Sequence, residues 1–396
     1  MKPNKICIAI IIYTMLPSVL LAQEKIVKKI DWTIAAKLPS APGLEKQLGL
    51  AGVFTGLSNN MLLVAGGSYF PDKKPWEGGK KAHTAHIFVL KKDAGERFSW
   101  IKSNASLKIP KAYGASTTIA DGVVCVGGET ETANSSRNAF LMKWDVAKNG
   151  VTCHDLPLLP IPIANACMAA IGKKIYLMGG ESNGKPSSKV FLLNISAGHL
   201  YWEPLPDMPL AMSHSVAVAQ SNGQHQCIYV IGGRSSTAAG ISQLHNKALC
   251  FDPLTKKWVT LSNIGDGIHT TNLSAATGVA VGKNQILIIG GDKGNIFHQI
   301  EIYNSEIGKA ASAADKQKLQ AEKVRIVTHH PGFSRDVLLY NTITNKWAVA
   351  GELPFFGHVT TTALIWDKDI FIPAGEIMPG IRTPDILKGE ILHDFK

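Results

Sequence analysis

The chain has few cysteines, and they show no pairing pattern. Six of the 396 residues are cysteine, and Cys7 lies in the apolar N-terminal stretch. The other five contain no Cys-x-x-Cys spacing and are odd in number, so neither a disulfide framework nor a zinc site is predicted. Cys125 and Cys227 lie inside apolar runs, which favours buried free thiols.

Charge is also scarce and is not concentrated in one segment. Only 18% of residues are charged, and 41 Lys and Arg against 30 Asp and Glu give a net charge of +11. The lysines are scattered along the chain, whereas a nucleic-acid binder would gather them in a stripe or tail, so we predict no nucleic-acid partner. With 45% hydrophobic residues, 37 Gly and 20 Pro, the composition is typical of a compact, turn-rich protein.

Long apolar runs are absent outside the first residues. Residues 6–21 are apolar, follow Lys2 and Lys5, and are interrupted by Pro17, which is typical of a signal peptide cleaved after Ala22. The alternative is an uncleaved membrane anchor. Loss of residues 1–22 would remove Lys2 and Lys5 and lower the net charge from +11 to +9. We expect an exported, periplasmic protein with no stable membrane insertion after cleavage.

An internal repeat organises the remaining chain. A short apolar run ending in a glycine doublet recurs five times, with a degenerate sixth copy at Ala374-Gly375. The second glycines of the five doublets are 52 to 61 residues apart: Gly67, Gly128, Gly180, Gly233 and Gly291. Each run has strand propensity, and paired glycines allow a sharp turn with close backbone approach.

A second element is in phase with the doublets. A tryptophan precedes a Leu-Pro, Ile-Pro or Met-Pro pair in four units, and Trp258 takes the same place without the proline; the four are Trp32, Trp100, Trp202 and Trp347. This period resembles the kelch repeat, whose units form four-stranded propeller blades. We predict an all-β, six-bladed propeller as one domain over residues 23–396. The N-terminal strand around residues 30–34 is expected to complete the last blade beside residues 385–391, removing a free sheet edge.

The interval from Gly291 to Gly375 is longer than the others and contains an insertion. Residues 305–324 are rich in strong helix formers, which predicts one exposed helix between two strands of the fifth blade. It is either a solvated decoration or a lid over the central mouth of the propeller.

The sixth unit has a distinctive loop after its glycine. Glu376 follows Gly375 directly, Arg382 comes six residues later, and Pro379-Gly380 lies between them. A tight loop of this kind could present a glutamate base and an arginine carboxylate clamp to one ligand. Glu129 and Glu181 also follow doublets, so the position of Glu376 after a doublet is not distinctive by itself.

Several segments resemble the bacterial N-acetylneuraminate epimerases, or sialic acid mutarotases, over essentially the whole mature chain. The segments are Gly375-Glu376-Ile377-Met378-Pro379-Gly380-Ile381-Arg382-Thr383, Ala112-Tyr113-Gly114 with the doublet up to Thr130, Leu50-Ala51-Gly52 with the doublet at Gly67, and Gly290-Gly291 with Asn295-Ile296-Phe297. The segment order differs from that of better known members, because the Glu376 loop comes last here. A cyclic permutation of a closed ring would produce this order.

The resemblance implies roles for individual residues. Glu376 falls on the glutamate described as the proton acceptor, and Arg382 falls on the arginine of the same loop. Ala374 replaces an asparagine of the family. Lys111 stands where the family tends to place an arginine, and it would keep the charge without the planar fork. The resemblance thus implies an isomerase acting on free sialic acid.

Three histidines complete the set of candidates. His214, His269 and His358 stand where strands are expected to approach the axis, as weaker candidates for substrate binding or as packing residues. Anomer interconversion needs one base to remove the anomeric proton, and we therefore predict no metal, nucleotide or redox cofactor.

Other propeller functions remain as alternatives. The main alternative is a non-enzymatic kelch module that binds a glycan or a protein through its loops. Sialidases carry Ser-x-Asp-x-Gly-x-x-Trp boxes, which the sequence lacks. Galactose-oxidase-like enzymes need a copper site of Tyr and His with a cysteine crosslink, and the sequence shows no such set.

Overall fold

The computed structural model describes residues 25–40 and 45–395. The predicted signal peptide, residues 1–22, lies outside the described residues. Six four-stranded antiparallel sheets account for most of the described chain. No helix among the described residues is both long and apolar enough to cross a membrane.

Each sheet is one blade, built from an inner, a second, a third and an outer strand. Blades 1 to 3 comprise Phe54–Ser58, Met61–Ala65, Ile87–Lys92, Phe98–Ile101; Ala115–Ile119, Gly122–Val126, Ala139–Asp145, Gly150–Leu156; and Cys167–Ile171, Lys174–Met178, Val190–Asn194, Trp202–Leu205. Blades 4 and 5 comprise Val216–Ser221, Gln226–Ile231, Ala248–Asp252, Lys257–Thr260; and Thr277–Val281, Gln285–Ile289, Asp336–Asn341, Lys346–Glu352. Blade 6 comprises Leu364–Trp366, Asp369–Pro373, Asp385–Phe395 and, as its outer strand, Lys25–Lys37.

Blade 6 closes the ring with both ends of the described chain. Lys25–Lys37 pairs antiparallel with Asp385–Phe395, and Ile30 lies opposite Ile391. This confirms the predicted closure and leaves the third strand paired on both sides. The aromatic ring of Phe98 in blade 1 then packs on Trp366 and Phe371 of blade 6, with ring centroids 5.6 and 5.5 Å apart.

The hydrophobic core is divided among the interfaces between neighbouring blades. Six clusters of buried side chains each draw on two adjacent blades, including blades 6 and 1. Because second strands are buried on both faces, they are continuous apolar runs; Met61–Ala65 and Gln285–Ile289 are examples. The six-bladed prediction is confirmed, and burial of apolar surface between blades holds the ring together.

The repeated tryptophans lie on outer strands and link consecutive blades. The indole N–H of Trp202 donates to Pro157 O at 2.9 Å, and that of Trp258 donates to Pro206 O at 3.0 Å. Each acceptor lies just after the outer strand of the preceding blade. This bond explains why tryptophan recurs in phase with the doublets, since an aromatic ring with one donor can fill the interface and satisfy a backbone carbonyl.

Short hairpins connect the second and third strands in four blades, on the side where the doublets lie. They are Ser68–Tyr69 with Ala82–His83, Glu181–Ser182 with Lys185–Pro186, Arg234–Ser235 with Gln243–Leu244, and Glu376–Met378 with Ile381–Arg382. A 3₁₀ turn, Pro75–Glu77, lies within the connection of blade 1.

In blade 5 this connection is a pair of helices, α1 (Asn295–Lys309) and α2 (Ala313–Thr328). The insertion is therefore in the predicted blade, but the single helix predicted over 305–324 is wrong. Residues 310–312 break that stretch, and Ser312 caps α2 by accepting a hydrogen bond from Asp315 N at 3.0 Å.

The five cysteines of the described chain are free, and Cys125 and Cys227 are buried as predicted.

Candidate functional site at the mouth of the central channel

Six residues, one from each blade, form a closed ring of backbone hydrogen bonds around the axis. Each N–H donates to the corresponding carbonyl of the preceding blade over 2.7 to 3.4 Å. The six are Gly52, Tyr113, Asn165, His214, Ala275 and Thr360, all with φ between 54° and 69°. The channel inside the inner strands has a volume of about 100 Å³. This is room for a few waters but smaller than a typical small-molecule pocket, so a small molecule would bind above the channel, at its mouth.

The residue after each glycine doublet lies at this mouth. Each one forms a backbone bridge to the residue that precedes a member of the ring; the six are Ser68, Glu129, Glu181, Arg234, Asp292 and Glu376. The mouth therefore carries one polar side chain from every blade. Glu129 and Glu181 share this placement with Glu376. Together the six residues form the rim of the mouth.

Glu376 and Arg382 are directly opposite each other in the short hairpin of blade 6. The Glu376 Oε1 atom accepts a hydrogen bond from Gly380 N, in the turn between the two strands. The hairpin thus places a carboxylate and a guanidinium side by side at the mouth, as the loop sequence predicts.

The Arg382 side chain is buried but incompletely hydrogen-bonded. Its guanidinium lies 4.4 Å from the centroid of the Phe70 ring, and Nη2 donates to the Tyr113 hydroxyl at 3.2 Å. Nε and Nη1 are buried without a hydrogen-bond partner among the described residues. Buried donors are rarely left unpaired, so this arrangement fits an anion that accepts hydrogen bonds from the guanidinium.

Burial raises the pKa of Glu376 above the usual glutamate value, while the positive charge of Arg382 and the Gly380 N–H act in the opposite direction. The effect of burial on the pKa is the largest of these, because it removes the charged carboxylate from water. A carboxylate with a raised pKa is a stronger base than a solvated one.

Glu129, in contrast, is held in its charged form by neighbouring cations. Burial favours the neutral acid, but hydrogen bonds from His83 and Lys81 outweigh burial, and the pKa of Glu129 is lowered. The His83 Nε2 atom lies 3.0 Å from Glu129 Oε1, and the Lys81 ammonium lies 5.0 Å from the centroid of the Tyr113 ring. Glu129 and Glu376 therefore differ in proton affinity, and Glu376 is the better base of the two.

A hydrogen-bonded chain on the opposite side of the mouth orients a second arginine. Ser213 Oγ donates to Glu181 Oε1 at 2.7 Å and lies 2.9 Å from His214 Nδ1. Burial, with the charge of Arg234, holds the pKa of His214 well below its usual value. His214 is therefore neutral, and its Nε2 accepts from Arg234 Nη2 at 3.2 Å.

Helix α1 covers this second arginine. The guanidinium of Arg234 lies 4.7 Å from the centroid of the Phe297 ring. Glu301 of the same helix accepts hydrogen bonds from Ser242 N and Oγ at 2.7 and 2.6 Å, which fixes α1 to the hairpin of blade 4. The insertion thus contributes an aromatic wall to the mouth.

The remaining predicted residues are not brought to Glu376. Lys111 is buried between blades 1 and 2, where its Nζ lies 3.3 Å from Asn138 Oδ1. His358 is also buried, behind Gly375, and burial lowers its pKa to about 4. Both lie two residues before a member of the ring, a position where the other blades have apolar side chains that pack between blades. The His269 side chain is 80% exposed and pairs with Asp266 on an outer loop.

Sequence reasoning missed Tyr113 and Arg234 as members of the site. The pattern that identifies Arg234 was present, because it follows a glycine doublet as Glu376 does. Tyr113 lies within one of the quoted motifs, but its contact with Arg382 joins blades 2 and 6, and no sequence spacing could show that pairing.

Comparison with known proteins gives the same family throughout. The family model described as N-acetylneuraminate epimerase matches residues 16–151 and 156–395. An N-acetylneuraminate epimerase of Haemophilus influenzae (strain PittEE) is 25% identical over 234 residues, which is 59% of this chain and 59% of that protein. One of Salmonella typhimurium is 26% identical over 242 residues, covering 59% and 58%. The chain spans about three fifths of the length of the curated relatives it matches. Because the family model matches nearly the whole chain, the protein belongs to the N-acetylneuraminate epimerase family.

Proposed function

We propose that the protein is a mutarotase that interconverts the α and β anomers of free N-acetylneuraminate at the mouth of the propeller. The observation that carries the proposal is the pairing of Glu376 with Arg382, whose buried Nε and Nη1 atoms have no hydrogen-bond partner among the described residues. A sugar acid supplies both groups that such a pair requires, namely a carboxylate and an adjacent acidic hydroxyl.

Arg382 binds the substrate carboxylate. The unpaired Nε and Nη1 atoms lie on two adjoining edges of the guanidinium, each shared with Nη2, and a carboxylate can accept charge-assisted hydrogen bonds at either edge; such bonds are strong. The Phe70 ring and the Tyr113 hydroxyl hold the guanidinium in one orientation. Binding therefore costs little side-chain entropy. The bound carboxylate also neutralises the charge of Arg382, which increases the basicity of Glu376.

Glu376 acts as the base and then as the acid. The O–H bond of the anomeric hydroxyl breaks, its proton passes to Glu376, and its electron pair forms the carbonyl as the ring C–O bond opens. The ring oxygen leaves with the electrons of that bond and takes the proton from Glu376. Rotation about the bond from the carbonyl carbon to the neighbouring ring carbon presents the opposite face of the carbonyl. The same steps in reverse close the other anomer, without net consumption of a proton.

The chain's own residues supply every group in this scheme, so the proposal includes no metal, nucleotide or redox cofactor. It also includes export, because cleavage after Ala22 would release the propeller into the periplasm, where free sialic acid is the partner. The wider rim, with Arg234 and Phe297 opposite Glu376, offers a cation and an aromatic face for the remainder of the sugar.

The test is anomer exchange of N-acetylneuraminate followed by NMR, with the spontaneous rate subtracted. Glu376→Gln should lower the catalysed rate by about 10² to 10⁴ while sialate still binds, because the amide cannot take the proton. Arg382→Ala should weaken sialate binding roughly tenfold to a hundredfold. Glu352→Gln and Arg325→Ala, at exposed side chains on blade 5 and α2, serve as matched controls with no expected effect.

Two outcomes would overturn the assignment. Glu376→Gln with the wild-type exchange rate would exclude its role as the base. A wild-type protein that binds sialate without accelerating exchange would indicate a binding module instead of an enzyme.

A further inference from the structure

Three side chains of the kinds that bind metal ions lie together on blade 4, at the end of the blade that is farthest from the mouth. His225 ends the turn before the second strand, Cys227 is in that strand, and Asp252 ends the third strand. One nitrogen, sulfur or oxygen atom of each side chain lies within 4.8 Å of the other two. The second strand runs from this cluster to the doublet at the mouth, a distance of about 20 Å for six residues of strand, so the two sites are separate.

The strand geometry explains why the three side chains meet. His225 and Cys227 are two residues apart, so they project to the same face of the sheet. The pairing of Ile228 with Phe251 places Cys227 opposite Asp252, and the His225 Nε2 atom lies 3.0 Å from Asp252 Oδ1. Sequence spacing alone could not reveal this group, because its members come from two strands about 25 residues apart in the chain.

We propose that His225, Cys227 and Asp252 form a site for a single Zn²⁺ ion. Imidazole nitrogen, thiolate sulfur and carboxylate oxygen are the three donors that zinc prefers, and a thiolate with a carboxylate balances the charge of the ion. Binding transfers the Cys227 thiol proton to solvent and replaces the His225–Asp252 hydrogen bond with two metal bonds. Water takes the fourth position.

The surroundings fit a metal site in two further respects. Asp252 Oδ1 accepts a hydrogen bond from Leu254 N at 2.8 Å, which fixes the orientation of the carboxylate. Cys227 is fully buried, while the His225 and Asp252 side chains are 27% and 21% exposed, so an ion can enter from solvent between them.

Titration of the reduced, metal-free full-length protein with Co²⁺ tests the site. We expect one equivalent to bind with a thiolate-to-metal charge-transfer absorption, and Zn²⁺ to displace it. Cys227→Ser and His225→Gln should each abolish the absorption. The control variant Cys167→Ser, which changes a buried free cysteine of blade 3, should retain the absorption. His225 is partly exposed, so His225→Gln keeps the test valid if Cys227→Ser fails to fold.

Three results would overturn the proposal. These are a reduced wild-type protein that binds no stoichiometric Co²⁺, a His225→Gln variant that binds Co²⁺ as wild type does, and an ion that binds without the charge-transfer band. A Cys227–Cys250 disulfide in the exported protein, with no metal bound after reduction, falls under the first of these. Sialate mutarotation is measured in parallel for each variant. A variant that loses Co²⁺ binding but keeps full mutarotation shows that the metal site acts independently of the site at the mouth.

Discussion

Among the described residues, Arg382 is the side chain with the most buried polar atoms that lack a hydrogen-bond partner. It is buried, yet two of its donor nitrogens have no partner in the described part of the chain. A protein that stabilised only its own fold would pair these donors, since an unpaired buried donor lowers stability by roughly 1–3 kcal/mol. The arrangement is therefore typical of a binding site that a ligand completes.

The raised pKa of Glu376 predicts the pH dependence of the reaction. Since the base must be ionised, the catalysed exchange rate should rise with pH, with a midpoint above the ordinary glutamate value of 4.5. Between pH 4.5 and the raised pKa, the folded chain binds the Glu376 proton more tightly than the unfolded chain does. The contribution of Glu376 to stability should therefore fall as the pH rises through this range. Rate profiles by NMR and thermal unfolding at matched pH measure both trends.

Glu376→Gln provides the control for both measurements, because glutamine does not titrate. The variant should lose the stability trend between pH 4.5 and the raised pKa while the rest of its profile is unchanged. A wild-type midpoint at or below 4.5 would contradict the burial argument.

For single residues, the sequence predicts only contacts between side chains that are close together in the chain. Glu376 and Arg382 are six residues apart around Pro379-Gly380, and hairpin geometry places them opposite each other. Lys111 and His358 lie two residues before members of the ring in the sequence, but their side chains are buried between blades, which only the three-dimensional packing determines.

The glycine doublet is the element that sets the shape of each blade end. The first residue of the pair has a left-handed backbone in every blade, and in blade 6 the non-glycine Ala374 keeps it with φ of 54°. The degenerate sixth copy therefore preserves the turn at the cost of a strained conformation. The N–H of the second glycine reaches the next blade; that of Gly128, for example, donates to Ile163 O at 2.8 Å.

Substitution of a doublet glycine should be more destabilising than substitution of a comparable loop glycine. A Cβ at Gly128 would lie 2.6 Å from Ala112 O, whereas a Cβ at Gly78 would meet nothing within 4 Å. Their φ angles, 93° and 84°, are similar, so the strain is matched. Gly128→Ala should lower the free energy of unfolding by roughly 2–4 kcal/mol more than Gly78→Ala does. Equal denaturation midpoints for the two variants would refute the close-packing explanation.

The helical insertion shows where composition fails as a predictor. Residues of α2 are strong helix formers, so most of this helix lies inside the stretch predicted as helical, although that stretch also crosses the break at residues 310–312. Helix α1 contains Ile296, Phe297 and Ile300, which have weaker helix propensity, so composition does not mark it. Its contacts with Arg234 and Ser242 of blade 4 stabilise it instead, and such tertiary contacts are not visible in a local sequence window.

For the whole molecule, ring closure depends on the strand Lys25–Lys37. It supplies the outer edge of blade 6 through eleven paired positions along Asp385–Phe395. The six-bladed fold and this closure were both predictable, because repeat phase alone determines them. The permuted order of segments relative to better known epimerases stays a prediction.

Truncation separates the role of the predicted signal peptide from that of the closing strand. A chain beginning at Gln23 should fold and catalyse anomer exchange as the full chain does, since it retains the closing strand. A chain beginning at Leu38 should aggregate or unfold at lower temperature, because the third strand of blade 6 would become a long exposed edge. Equal melting temperatures for the two chains, measured by circular dichroism, would show that closure contributes nothing.

The ring of six backbone hydrogen bonds has a consequence for how the molecule opens. A helix has free donors and acceptors at its ends and can fray from them, whereas a circle of bonds has no end at which to begin. Each amide of the ring is held by a carbonyl of the neighbouring blade, so its proton can be released to solvent only when two blades separate. Amide hydrogen exchange at these six positions would therefore report the opening of the whole propeller, while exposed loops exchange through local fluctuations.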